Sequence, residues 1–311
     1  MHALGEHLVT QIPKTLSPQD FDLWQMIYPE IQKEGLEAAL LRYAPTASLE
    51  ASIVQSSGEF IASAEAKIIA EVFSRSKILR LTKLLPHLIV PDSGIPIITT
   101  NYDRLVEVAC EEGGLGVDTM FNGHFAARLE PEHSHWSFCR SARVVNRVPR
   151  VRFAKRAKVF KPHGSLDWYH RDGDPVRYAG SLPLPRLIIT PGLNKFRSGY
   201  ESPFDKHRDK GNESIDKAQK FLIIGYGFND DHLETHLTPR IKSGVGTLII
   251  THTLSEKART IALSYKNVIA LDFQSRTISS GTRVIADGAE TDIPEIDLWD
   301  LDGLVKGVLS A

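Results

Sequence analysis

The feature that most constrains this chain is a series of short apolar runs, each closing on a polar cluster. Ile95 to Thr100 is β-branched and leads into Asn101-Tyr102-Asp103. Lys158 to Lys161 leads into Pro162-His163-Gly164-Ser165, and Arg186 to Thr190 into Pro191-Gly192. Phe221 to Ile224 leads into Gly225-Tyr226-Gly227-Phe228-Asn229-Asp230-Asp231, and Thr247 to Thr251 and Val268 to Leu271 follow. Runs this short and this apolar read as strands buried on both faces. Helical stretches separate several of them: Arg104 to Glu111, which Gly113-Gly114 would end, Asp231 to Lys242, and Ser255 to Tyr265. Strands alternating with helices predict an α/β fold whose mostly parallel sheet has helices on both faces.

The rest of the chain frames that sheet. Residues 1–90 form a helical portion. Leu4, Leu8 and Ile12 fall on one helix face, as do Ile61, Ala64, Ile68, Ile69, Val72 and Phe73, and Ile78, Leu81, Leu84, Leu85 and Leu88. All three stripes read as core. Residues 115–160 read as an irregular basic insertion. Nine Lys or Arg and no acid lie between Ser137 and Lys161. That is a solvated hairpin with basic outer faces, or a surface for phosphate or nucleic acid. Phe138, Phe153 and Phe160 are too few for a single-strand stacking platform.

Composition excludes several classes. A net charge of -1 disfavours direct nucleic-acid binding by the chain as a whole and gives no reason to expect a membrane surface. No run approaches the ~20 apolar residues of a membrane span. Glu6 and His7 interrupt the place of a signal peptide, so the chain reads as cytoplasmic. Cys110 and Cys139 are the two cysteines, which makes a disulfide framework or a four-cysteine zinc site within one chain untenable.

In open parallel sheets, ligands bind beyond the C-terminal strand ends. Asn101 and Asp103, His163 and Ser165, and Asn229 to Asp231 all follow strands. Each has a plain alternative. Asn101 or Asp230 could cap the helix that follows, and His163 could be a satisfied loop histidine. Gly225 and Gly227 begin a dinucleotide-type loop, but Asp230 stands where its third glycine would be. Tyr226 and Phe228 could stack on a base or pack in the core.

Three motifs in order, TTNYD at 99–103, KPHGS at 161–165 with Trp168 after it, and GYGFNDDH at 225–232, resemble the prokaryotic sirtuin-like domains. These are relatives of the sirtuin deacylases. The resemblance covers about residues 1–273, leaving 274–311 as a C-terminal tail. It implies a Rossmann-like sheet that binds NAD as substrate. Asn101 would lie near the nicotinamide ribose and help position water. His163 would be general base or partner of a ribose hydroxyl. Gly225, Tyr226 and Asn229 would line the adenosine side, and Thr100, Asp103 and Ser165 are the remaining candidate NAD contacts. No metal ligand is implied.

Deacylase sirtuins hold a structural zinc with four cysteines, and two cysteines 29 positions apart do not match that module. The absent zinc module resembles the NAD hydrolases of antiphage defence, which deplete NAD on infection. The resemblance then implies an NAD+ glycohydrolase that works as a homo-oligomer or with a defence partner such as a HerA-type ATPase. The family opens with a glycine-rich loop, and residues 1–90 contain none; the chain starts inside what reads as the helix after it. A catalytically impaired NAD-binding sensor or assembly subunit is therefore the alternative, and an NAD-dependent deacylase a further one. The acidic stretch Glu290 to Asp302 is either a contact element or a terminal segment packed on its own domain.

Overall fold

The computed structural model describes residues 2–14, 16–189, 201–275 and 280–310. Four helices open the chain: α1 (His2–Gln11), α2 (Pro18–Glu34), α3 (Leu36–Arg42) and α4 (Ala47–Phe73). A short helix α5 (Arg80–Leu84) precedes strand β1 (Ile95–Ile98) and helix α6 (Leu105–Glu112). Then come β2 (Gly116–Asp118), β3 (Phe121–Asn122), β4 (Ala127–Leu129), α7 (Pro131–Ser137), β5 (Cys139–Val145) and β6 (Val148–Phe153). They are followed by β7 (Arg156–Phe160), β8 (Gly164–Arg171), β9 (Asp174–Arg177), β10 (Arg186–Ile188) and α8 (Phe204–Lys217). The C-terminal part holds β11 (Lys220–Ile224), α9 (Asp231–Lys242), β12 (Gly246–Ile250), α10 (Glu256–Ser264), β13 (Val268–Ser275), β14 (Ser280–Ala286), β15 (Ala289–Pro294) and α11 (Leu301–Leu304).

The chain divides into two compact units, residues 1–77 with 90–208, and residues 78–89 with 209–311. In the first, α1 to α4 build their own core. Leu4, Leu8 and Ile12 of the expected stripe are buried there with Trp24, Ile27, Ile31, Leu49 and Ile53. Ser17 caps α2, and the Ser48 hydroxyl donates to the Asp20 carboxylate at 2.6 Å, which fixes the start of α2 against the start of α4. The stripe expected along the C-terminal half of α4 behaves differently. Val72 is buried, Phe73 is 70 % exposed, and the buried side chain at the middle of that stretch is Glu65, at 2 %. The carboxylate is drawn inward by Arg104, which donates to it. An ion pair has overridden apolar patterning.

The same unit holds a parallel sheet in the order β1-β7-β2 and an antiparallel one in the order β10-β8-β9-β4-β3. Ile98 pairs with Phe160, so β1 and β7 end side by side. Thr99 N–H donates to the Phe160 carbonyl at 3.0 Å. By alternation, Pro96 then directs its missing N–H away from β7, which an outer strand tolerates. Two expectations are corrected. Region 115–160 is regular rather than irregular: it holds β2 to β7 and α7, several of them too short for period-two alternation to show. The run at Arg186 is antiparallel to β8 rather than part of a parallel sheet; its expected end at Thr190-Pro191-Gly192 lies outside the described residues.

In the second unit, β11, β12 and β13 run parallel in register, and β14 and β15 extend them antiparallel. Ile250 and Leu271 of this sheet pack with Leu84, Leu301, Leu304 and Val305. The C-terminal residues thus fold as strands and a helix on this unit. Leu298 N–H donates to the Thr282 hydroxyl at 2.7 Å, so the acidic stretch packs on its own unit. Among the described residues, no helix is long and apolar enough to cross a membrane.

Candidate functional site

The loops after β1 and β7 emerge together because their strands are paired in register. They are then stitched to each other. Leu166 N–H donates to the Tyr102 carbonyl at 3.0 Å, and the Ser165 hydroxyl reaches the same oxygen at 3.4 Å. Lys161 Nζ donates to the Asp103 carbonyl. Within the first loop, Asn101 N–H donates to the Thr99 hydroxyl at 3.2 Å, and Asp103 accepts from Leu105 N–H at 3.1 Å. Asp103 thus holds the turn that leads into α6, whose cap position, Arg104, has no side-chain cap, and Asn101 is left exposed.

Gly164 explains the histidine-glycine pair. Its φ is +93°, and a Cβ there would lie 2.1 Å from the Leu187 carbonyl oxygen. Only glycine fits. The tight turn it permits leaves His163 half-buried at the strand end, its carbonyl accepting from Ile189 N–H at 2.9 Å. Thr100 is half-buried and Ser165 fully buried. The first unit therefore brings together Thr100, Asn101, Asp103 and His163 on two adjoining loops, with Ser165 at the start of β8.

Beneath the loops lies a charged layer that apolar patterning hides. Lys161 is buried, 3.0 Å from Glu107 Oε1. Burial pushes the Glu107 carboxyl up, against the pull of Lys161. Asp167 is buried too, bonded to Arg177 Nε at 2.7 Å. Burial would raise its pKa, but Arg177, the Ser165 hydroxyl and Lys161 together hold it below the usual carboxylate range. His207 accepts from Lys161 N–H at 3.2 Å, with its ring 4.4 Å from that of Trp168. Burial, and then Lys161, push this imidazole down to about 3, so it is neutral. Glu65, Glu107, Asp167 and His207 were not singled out from sequence. The available signal was a lone charge inside an apolar run, as in LVEVAC and GSLDW.

In the second unit, Gly225, Tyr226 and Asn229 follow β11. Gly225 adopts a φ of +62°, with nothing within 4 Å of where a Cβ would stand. Its N–H continues the ladder to the Ile250 carbonyl at 2.8 Å. Asn229 is exposed and Tyr226 half-buried, its pKa raised by burial and then Asp230. Phe228 is fully buried, which makes it core. Asp230 caps α9, accepting from His232 N–H at 3.1 Å and Leu233 N–H at 3.3 Å.

A family model described as the SIR2-like domain matches residues 96–268, more than half of the chain. This chain belongs to the SIR2-like family. The matched span includes all three motifs, from the strand before TTNYD to the start of β13. SIR2-like domains use NAD, so the coarse function is NAD-related, and the Rossmann-like α/β fold agrees with it. No curated protein matched the chain.

Proposed function

We propose that this chain is an NAD+ hydrolase that cleaves the nicotinamide–ribose bond to give ADP-ribose and nicotinamide. One observation supports this reading above others. The loops bearing Asn101 and His163 are stitched backbone to backbone at adjoining strand ends, inside the span that matches the SIR2-like domain. In the proposed reaction, a water oxygen bonds to ribose C1′ as the C1′–N bond breaks. Nicotinamide departs neutral with the electron pair, and the water's proton passes to His163. The Asn101 amide orients the water. Nicotinamide is a good leaving group, so the protein's task is orientation and shelter of a cationic transition state. Gly225, Tyr226 and Asn229 are assigned to the nucleotide, with Thr100, Asp103 and Ser165 as further contacts. The role that accords with the family resemblance is NAD depletion in antiphage defence in the cytoplasm, with control by self-assembly or by a HerA-type ATPase.

Chromatography of NAD incubated with the purified chain tests this. Nicotinamide and ADP-ribose should form. His163→Ala should lose roughly 10²–10⁴-fold of the rate, the usual range of general-base help, and Asn101→Ala should also fall sharply, both variants keeping the wild-type circular dichroism. A wild type that binds NAD in calorimetry without turning it over would replace the hydrolase with an NAD-binding sensor or assembly subunit. Release of nicotinamide only in the presence of an acyl-lysine peptide would make it a deacylase.

A further inference from the structure

The hairpin of β5 and β6 forms a two-stranded sheet of its own. Such a ribbon is marginal in water unless something covers it. Every residue from Ala142 to Arg152 is exposed. Cross-strand register assigns two faces. Ser141 pairs with Arg152, Arg143 with Arg150, and Val145 with Val148 on one face. Ala142 pairs with Val151, and Val144 with Pro149, on the other. One face is therefore cationic and the other apolar.

The cationic face is arranged against its own stability. Arg143 stands directly opposite Arg150, and like charges so placed repel. No acid occurs between Ser137 and Lys161, and among the described residues Arg140, Arg143, Arg147, Arg150 and Arg152 have no acidic partner. The two-residue turn, Asn146-Arg147, has φ of 51° and 63°. Glycine would suit the second position, yet a further arginine occupies it. The base of the ribbon is firm. Arg156 is wholly buried, 4.5 Å from the Phe153 ring centroid and 5.6 Å from that of Phe138, and 3.2 Å from His135 Nδ1. The arginines are therefore presented on a rooted arm rather than on a loose loop.

We propose that the arginine face of this ribbon docks on duplex DNA. Uncompensated arginines on one face complement a polyanion. Two strands about 4.8 Å apart fit a B-form major groove about 12 Å wide, which admits a two-stranded ribbon. The deep, narrow major groove of A-form RNA does not. The near-neutral charge of the whole chain does not oppose this, because the ribbon concentrates positive charge locally while acids lie elsewhere. The inference is independent of the hydrolase reading, since its test measures binding alone.

Fluorescence anisotropy of a labelled DNA duplex of about two helical turns, titrated with the full chain between about 50 and 200 mM salt, tests it. Binding should weaken steeply with salt. The triple variant R143Q/R150Q/R152Q should lower the log–log salt slope by about 0.9 per arginine, or about 2.7 in all, with unchanged circular dichroism. Val144→Ser with Val151→Ser, on the opposite face, should leave binding intact. Absence of wild-type binding, an unchanged slope in the triple variant, or equal affinity for duplex RNA would each overturn the proposal. So would loss of binding confined to the valine variants, which would make the apolar face the docking surface.

Discussion

Lys161 Nζ lies 3.0 Å from Glu107 Oε1, and both side chains are nearly devoid of solvent contact. The lysine donates to the Asp103 carbonyl as well. One buried cation thus joins the β7 loop, the β1 loop and helix α6. Removing one partner of a buried pair leaves the other uncompensated and typically costs about 3–5 kcal/mol. Lys161→Met alone should destabilise by that order. Lys161→Met with Glu107→Leu should lose clearly less than the sum of the two single variants. Urea unfolding of the four proteins closes the cycle; strict additivity would show that the pair is not coupled.

Gly164 is the position where a single methyl group should do most harm. Its backbone is left-handed, and a Cβ would lie 2.1 Å from the Leu187 carbonyl oxygen. Gly164→Ala must move β10 or the His163 turn. A loss of about 1–3 kcal/mol is expected from strained backbone alone, with more from the clash. A thermal midpoint within a degree of wild type would refute that geometry.

His207 makes stability depend on pH. Its folded pKa, pushed down to about 3 by burial and then Lys161, lies below the ordinary 6.5. Between those values the unfolded chain binds a proton that the native chain excludes. Stability from this group is therefore complete above pH 6.5 and is lost as pH falls towards about 3, at up to about 1.4 kcal/mol per pH unit. His207→Gln keeps an acceptor for Lys161 N–H without titrating. Its unfolding free energy should fall less steeply with acidification over that window. Identical slopes for both proteins would mean that His207 protonates normally in the native chain.

The two thiols should differ in reactivity. Cys110 is fully buried, and burial, then Glu107 and Glu111, push its pKa up to about 12. A thiol held protonated is a poor nucleophile. Cys139 is only partly buried. A thiol-reactive disulfide reagent should label Cys139 quickly in the native chain and reach Cys110 only on unfolding. Fast labelling in Cys139→Ser would contradict this.

Periodicity and strand-end chemistry were legible without coordinates because both are local. The helix from Asp231 to Lys242 appears with the same bounds in the fold, and the runs at Ile95, Phe221 and Thr247 are strands. A turn that needs glycine, as at Gly164, marks itself by composition. The placement of Asn101 and His163 on separate strand ends followed from the same runs.

What only the tertiary structure decided is pairing. That Ile98 lies beside Phe160, and so joins the loops of Asn101 and His163, is a register between residues about sixty positions apart. The α4 stripe expected to be apolar core buries Glu65 instead, because Arg104, remote in sequence, supplies its counter-charge. Nor could a sequence stretch with nine basic residues and no acid reveal that Arg143 faces Arg150 on one side of a ribbon and Val144 lies on the other. Apolar patterning records how much surface a segment buries on average. Charge pairs and strand register depend on which distant atoms meet, and that information is carried by the folded chain alone.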